Sequence, residues 1–341
     1  MRRGRDGRSE RERVAFLLAG GVRLVYYGTP ILAVPPLLRL IEDGKPPSLV
    51  VTRRDRPSGR GLALAPSPVR AAAEARGIPV ATPERAGAPE EIERLRALAP
   101  DVLVLVAYGQ ILSPGLLRLP KIGAINVHFS LLPRHRGASP IQAAILAGDR
   151  EAGVTTMWMT EKLDEGPVFS SLSTPIGPEE DAGSLGGRLA ELGARCLSET
   201  LTRIERGEIV RRDQDPSRAT YAPKLTREDS RLLLADDPVR FTRKVRAFAP
   251  EPGAYLELER ERIQILSAAP GSIGAEAGPG EPPGSVLALH RERGLAIRLS
   301  SGSVWLKSVR PSGRKVMDAF AYANGARIKP GGMLPVKDLA A

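Results

Sequence analysis

The sequence predicts two folded parts: an α/β domain built on a mostly parallel sheet and, after it, a small β-barrel, with an OB-like barrel one candidate. Three observations carry this. Across residues 23–206, short runs of β-branched and aliphatic residues alternate with segments of helical period, the order expected of strands joined by helical crossovers. Across residues 254–309, five short strand-like runs succeed one another with no helix between them, as in a barrel. Between these regions, residues 207–222 are rich in charge and turn formers and read as a linker.

In order, residues 23–27 predict a strand, 34–43 a helix, 48–52 a strand, 68–76 and 89–98 helices, and 102–106 a strand apolar on both faces. A strand at 122–127, a helix at about 139–146, a strand at 154–159 and a long helix at 181–206 complete the first domain, residues 22–206. The second, residues 223–341, opens with a mixed segment at 239–248. It continues with strands at 254–258, 262–269, 284–289, 294–299 and 303–309. Residues 270–284, rich in Gly, Pro, Glu and Ala, make a flexible loop. Residues 1–21 hold six arginines against three acids and no element pattern. They read as a disordered extension or a start placed too early.

Composition narrows the function. The chain has 341 residues and a formal net charge of +11, and its apolar runs are far shorter than the ~20 residues a membrane helix needs. The single cysteine, Cys196, excludes an internal disulfide and suits a reducing cytoplasm; lying among leucines at helical spacing, it reads as a core residue. With only three histidines, a metal site is not expected. Residues 22–222 carry 25 basic and 23 acidic side chains, whereas residues 223–341 carry 19 and 13. The excess is carboxy-terminal, which favours a polyanionic partner there, nucleic acid first. Neither Gly-x-Gly-x-x-Gly nor Gly-x-x-x-x-Gly-Lys-Ser/Thr occurs, so nothing points to NAD or ATP phosphates.

The informative stretch is residues 124–137, AINVHFSLLPRHRG. Asn126 and His128 stand two apart on a strand, so their side chains point the same way. An amide and an imidazole aimed at one point can stabilise oxygen charge that develops in acyl transfer. Asp164, in a turn after a predicted strand, can orient the imidazole or hold a water that takes a proton. Plain alternatives stay open on the residues alone: Asn126 satisfying a strand end, His128 a half-buried hydrogen-bonded ring, Asp164 an Asx turn before Gly166. His135 reads as solvated or anion-facing and His290 as surface.

These residues carry a resemblance. Asn126-Val-His128, Ser130-Leu-Leu-Pro133, Arg136-Gly137, Pro140-Ile-Gln142 and Leu163-Asp164-Glu-Gly166 resemble the signature of formyltransferases that use 10-formyltetrahydrofolate. Gly28-Thr-Pro30, residues 55–61, Pro66-Ser-Pro-Val69, Val106-Ala-Tyr-Gly109, Tyr221-Ala-Pro-Lys-Leu225, Arg246-Ala-Phe248 and Gly331-Gly-Met-Leu-Pro335 look like the methionyl-tRNA formyltransferase family. The resemblance implies a Rossmann-like formyltransferase domain and an OB-like carboxy-terminal barrel. It also implies a cytoplasmic monomer, without metal, that moves a formyl group from the folate co-substrate to methionine on initiator tRNA. Asn126, His128 and Asp164 would be catalytic.

Tyr108, Gly109, Gln110, Ile111, Leu112 and Leu163 would meet the folate, largely through backbone groups, with Ser130, Leu131, Leu132 and Pro133 shaping the pocket wall. Arg56 and Arg60, in the loop 53–64, would meet the acceptor end of the tRNA, and Arg243, Lys244, Arg310, Arg314 and Lys315 its phosphates. The chain departs from the family at Phe129, where glycine is usual, and at Glu165, where threonine is common. Arg231-Leu-Leu-Leu234 lacks a frequent tryptophan. Phe129 is expected to alter the pocket wall and Glu165 to add a carboxylate beside Asp164.

Overall fold

The computed structural model describes residues 21–58, 63–271 and 280–337. The extension expected at residues 1–21 lies outside them except for Gly21. By its contacts the chain forms two units, one of residues up to 140 with 151–175 and 186–222, the other of residues 141–150, 176–185 and 223 onward.

In the first unit the strands are β1 (Leu24–Gly28), β2 (Leu49–Val51), β3 (Arg56–Ser58), β4 (Ala63–Ala65), β5 (Val80–Ala81) and β6 (Val102–Val106). They are followed by β7 (Gly123–His128), β8 (Arg136–Gly137), β9 (Glu151–Trp158), β10 (Val168–Pro175) and β11 (Tyr221–Ala222). The main sheet runs β10-β9-β7-β6-β1-β2-β5. Its five strands from β7 to β5 are parallel, while β9 and β10 are added antiparallel. Helices α1 (Val34–Glu42), α2 (Pro68–Glu74), α3 (Pro89–Leu98) and the short α4 (Pro114–Leu117) lie between the parallel strands in sequence.

Pro at the first or second position starts each of the four, where its missing N–H costs nothing. Ser67 and Ser113 cap α2 and α4 through their hydroxyls. Every residue of β6 is buried, as a strand covered on both faces must be. Strand order reverses at β1 and β6, so the crevice at their carboxyl ends is where such a sheet binds ligands. There Thr29 Oγ1 donates to Tyr108 O at 3.0 Å, tying the two turns together.

Three features were not expected from sequence. β10 is a Ser- and Thr-rich edge strand whose outer positions are exposed, so its apolar signal is thin. The arginine loop is a hairpin at its base, with Arg56 opposite Ala65 and Ser58 opposite Ala63. Residues 207–222, expected as a linker, are stitched to the first unit, where β11 pairs in parallel with β8.

The second unit holds α5 (Pro140–Ala147) from residue 141, the segment 176–185 that opens α6 (Ala182–Glu205), and α7 (Pro238–Phe248). Chain order had placed residues 141–150 and 176–185 with the first domain. They pack here because Arg243 lies against Gly148, Arg246 Nη1 donates to Glu180 O at 3.2 Å, and Gly183 N donates to Ala249 O at 3.2 Å. Strands β12 (Ala254–Glu257), β13 (Arg262–Gly271), β14 (Val286–His290), β15 (Gly294–Leu299), β16 (Gly302–Pro311) and β17 (Met317–Asp318) form an antiparallel sheet in the order β12-β13-β16-β15-β14, with β17 on β16.

Residues 331–337 bridge its two open edges. Val286 N donates to Gly332 O at one edge, and Lys337 N donates to Glu257 O at the other. This closure leaves no long bare edge. Helix α8 (Ala319–Gly325), which the sequence reading did not assign, is capped by Asp318 Oδ1. Among the described residues no helix is long and apolar enough to cross a membrane.

Candidate active site

The site is built on β7. Alternation along the strand sends Asn126 and His128 to one face and Val127 and Phe129 to the other. A Cβ placed on Gly193 of α6 would come within 3.2 Å of Val127 Cγ1 and 3.5 Å of Phe129 Cε1, so those two side chains pack under the long helix. Phe129 therefore does not shape the pocket wall as expected; it fills core behind it.

Asn126, His128 and Asp164 come together, at 7%, 5% and 7% exposure. Asn126 Nδ2 donates to Asp164 Oδ1 at 3.3 Å, Gly137 N donates to Oδ2 at 2.8 Å, and His128 Nδ1 lies 3.7 Å from Oδ2. On the other side of the ring, His128 Nε2 is 2.9 Å from His135 O. A carbonyl can only accept, so Nε2 carries hydrogen and Nδ1 is the nitrogen turned to Asp164. His135, expected in solvent, is buried at 7% exposure. Its N–H donates to Thr220 Oγ1 at 2.8 Å, because its backbone is needed to hold His128.

Asp164 has a φ of +52°, a left-handed conformation that costs a non-glycine residue about 1–2 kcal/mol. Gln214 holds it there, with Nε2 donating to Asp164 O and Gly166 O, both at 2.8 Å. Two such bonds at about 1 kcal/mol each offset the strain. Oε1 of Gln214 accepts from Arg136 Nε at 3.1 Å and Nη2 at 2.9 Å. Arg136 is 4% exposed. Glu165 does add a carboxylate next to Asp164 in sequence, but its oxygens lie 3.6 Å from Arg136 Nη1 and 3.7 Å from Lys162 Nζ. Its charge is thus spent on neighbouring cations.

The folate candidates divide. Tyr108 is fully buried, edge-on to Tyr27 with ring centroids 5.2 Å apart, and among the described residues its hydroxyl has no hydrogen-bond partner. Burial, with the Glu91 charge second, pushes the Tyr108 phenol up to about 12. Leu112 is core, and Gln110 turns to Glu84 O and Ala86 N. The side chains of these three are thus taken up within the fold. Ile111, 86% exposed, and Leu163, 64% exposed, are instead apolar groups left to water.

Ser130–Pro133 is locked from within, with Ser130 Oγ donating to Arg134 O at 2.6 Å and Thr155 Oγ1 to Ser130 O at 2.7 Å. Leu131 packs on Gly153. Because the Tyr108 hydroxyl sits unpartnered in the core, Tyr108→Phe should raise stability by about 1 kcal/mol and leave substrate KM values unchanged. Urea unfolding and steady-state kinetics check both.

The basic candidates divide too. Arg60 and the side chain of Arg56 lie outside the described residues. Lys244 donates to Arg231 O, burial lowering its pKa, and Arg310 is engaged by Gln264 and by Glu251 at 3.1 Å. Arg243 lies over Gly148, with Nη1 donating to Ala147 O at 3.4 Å. Arg314 and Lys315 stand exposed beyond β16. Cys196 is buried core and His290 is exposed beside Trp305.

Residues 40–201 match the family described as formyl transferase and residues 224–327 the formyl transferase C-terminal domain. A methionyl-tRNA formyltransferase of Geobacter sulfurreducens is 42% identical over 91% of this chain and 96% of its own length. One from Halorhodospira halophila is 45% identical over 91% of this chain and 98% of its own. The chain belongs to the methionyl-tRNA formyltransferase family. Its fold also resembles HypX of Aquifex aeolicus, solved in complex with tetrahydrofolic acid, at a TM-score of 0.58 and 20% identity over 89% of this chain. The match spans 47% of that longer protein, and at this identity the likeness bears on fold.

Membership makes the enzyme a formyl transferase. Sequence reading singled out Asn126, His128 and Asp164, which the fold brings together, but it missed Gln214, Thr220, the Gly137 amide and the His135 carbonyl that hold them. Arg136-Gly137 lay within a quoted motif; nothing local marked Gln214.

Proposed function

We propose that this formyltransferase takes its one-carbon unit from 10-formyltetrahydrofolate and places it on the α-amino group of methionine carried by initiator tRNA, using Asn126, His128 and Asp164. The observation that carries this is the Asp164 carboxylate, shared between the Asn126 amide and the His128 imidazole and anchored by the Gly137 amide. The folate supplies the formyl carbon. Exposed Ile111 and Leu163 suit a flat heteroaromatic ring, with the backbone of 108–112 offering polar groups at its edge. Among the residues proposed to bind the tRNA, Arg314 and Lys315 present charge outward from the second unit, and we place the enzyme in the cytoplasm as a monomer.

The amine must attack as the neutral base, and a free α-amino group has a pKa of about 7.7–8.0, so no strong base is needed to prepare it. As the new C–N bond forms, Asn126 Nδ2 would donate to the formyl oxygen, with the His128 ring beside it. Asp164 accepts the proton the amine must lose, directly or through water, and the proton leaves with N10 when the old C–N bond breaks. His135 O keeps His128 from turning away.

The test is transfer of labelled formyl from the folate to initiator Met-tRNA, elongator Met-tRNA and an amino sugar nucleotide offered in parallel. Label is expected on initiator Met-tRNA alone; label on the sugar would overturn the acceptor assigned here. Asn126→Ala should slow turnover by roughly 10²-fold with tRNA affinity unchanged. An equal loss of affinity would move Asn126 into RNA binding.

A further inference from the structure

We propose that Gln214 is a positioning residue for formyl transfer, aiming the Asp164 carboxylate by holding the backbone on both sides of it. This role rests on Asp164 acting as proposed above, and adds a residue that returns to the site from 50 positions further along the chain. The two carboxamide hydrogens are both committed, one to Asp164 O and one to Gly166 O at 2.8 Å each. Which end of the carboxamide is oxygen follows from Arg136. Its guanidinium approaches Oε1 with two N–H groups, and a flipped amide would turn its own hydrogens on that cation.

The chain around Asp164 has little freedom of its own to keep this geometry. Asp164 sits at φ +52°, where an L side chain tends to escape, so its conformation must be held by its surroundings. Freed from Gln214, the peptide can relax toward ordinary φ. Relaxation swings the Cα–Cβ bond and carries the carboxylate off Asn126 Nδ2 and Gly137 N. The same segment grips the other half of the site. Thr220 Oγ1 takes the His135 N–H at 2.8 Å, and Arg136 N donates to Thr220 O at 2.8 Å, so the carbonyl that fixes His128 Nε2 is held from residues 214–220 as well. A purely structural Gln214 would stabilise the fold without selecting among the kinetic constants. A positioning Gln214 acts on turnover.

Two variants test this. Gln214→Met keeps the length and loses every polar contact; Gln214→Glu keeps an acceptor for Arg136 and loses both donors. Each is expected to lower kcat by about 10- to 100-fold, with KM for tRNA and folate within about twofold and Tm within about 5 °C of the parent. In an Asp164→Asn background, measured by single turnover with excess enzyme, adding Gln214→Met should change the residual rate by less than about twofold, because the group it aims is gone. A parent-like kcat in both variants, a loss confined to KM, or the full loss repeated in the Asp164→Asn background would overturn the assignment. So would unfolding of both variants, which would make Gln214 a requirement of the fold. Full activity of Asp164→Asn alone is a separate result, and would sink the reading of the site itself.

Discussion

Asp164→Asn is expected to reduce the single-turnover rate of formyl transfer by about three to four orders of magnitude while leaving the dissociation constants for tRNA and folate close to those of the parent. The carboxylate is an acceptor at both oxygens, with Asn126 Nδ2 on one and Gly137 N and His128 Nδ1 about the other. A carboxamide in its place has one oxygen and one NH2 group. If its oxygen meets Gly137, its NH2 faces the amide of Asn126; if it flips, two N–H groups collide at Gly137. The second leaves buried donors opposed, at a cost of about 1–3 kcal/mol, and the first is matched only if Asn126 flips to accept with Oδ1, which turns its Nδ2 from the direction in which a developing oxyanion would need it. The substitution also removes the proposed proton acceptor. Rapid-quench kinetics at saturating substrates, with equilibrium binding measured separately, check both halves of the expectation. A rate within tenfold of the parent would show that the carboxylate neither accepts the proton nor aims its neighbours.

What could be seen in the sequence was what is local in space. The period of a strand puts residues two apart on one face, so the sequence alone pairs Asn126 with His128, and the same rule turns Phe129 inward with Val127. The parallel strands were legible because β2 and β6 are runs of β-branched and aliphatic residues that nothing but a buried sheet accommodates. β10 was not, because its serines and threonines carry little apolar contrast.

The turn after β6 shows the limit at finer grain. Consecutive residues Tyr108, Gly109, Gln110, Ile111 and Leu112 point in directions set by a φ of +46° at Ala107 and +81° at Gly109. The aromatic one goes to the core and an aliphatic one to water, against the usual ordering by polarity. Gln214 and Thr220 were illegible for another reason: their partners lie 48 to 85 positions away, and a polar residue in a polar stretch carries no mark of a distant partner. Net charge does not separate basic side chains by their surroundings. It counts Lys244 and Arg310 with Arg314 and Lys315, although hydrogen bonds within the fold already engage the first two.

Gly137→Ala should damage both stability and rate, and the two losses share one cause. Gly137 has a φ of +117°, and a Cβ added there would sit 2.5 Å from Ala222 O. That atom is backbone in the β8–β11 pair, where Ala222 is in register with Gly137, so neither partner can yield without breaking the pairing. The alanine must leave this φ or push β11 away, and both movements take the Gly137 N–H off Asp164 Oδ2. Unfolding free energy is expected to fall by about 2–4 kcal/mol, and kcat of the molecules that remain folded should fall in the direction of the Asp164→Asn variant. Gly187→Ala is the matched control, since it lies in α6 and, beyond the helix's own backbone and its chain neighbours, no atom of the described residues comes within 4 Å of the added methyl; it should gain up to about 1 kcal/mol at unchanged rate. Urea melts paired with turnover measured well below the midpoint separate the two effects. If Gly137→Ala melts like the parent and turns over like it, the amide at 137 is not what anchors the carboxylate, and the convergence of Asn126 and His128 on Asp164 must be held by the Gln214 side of the loop alone.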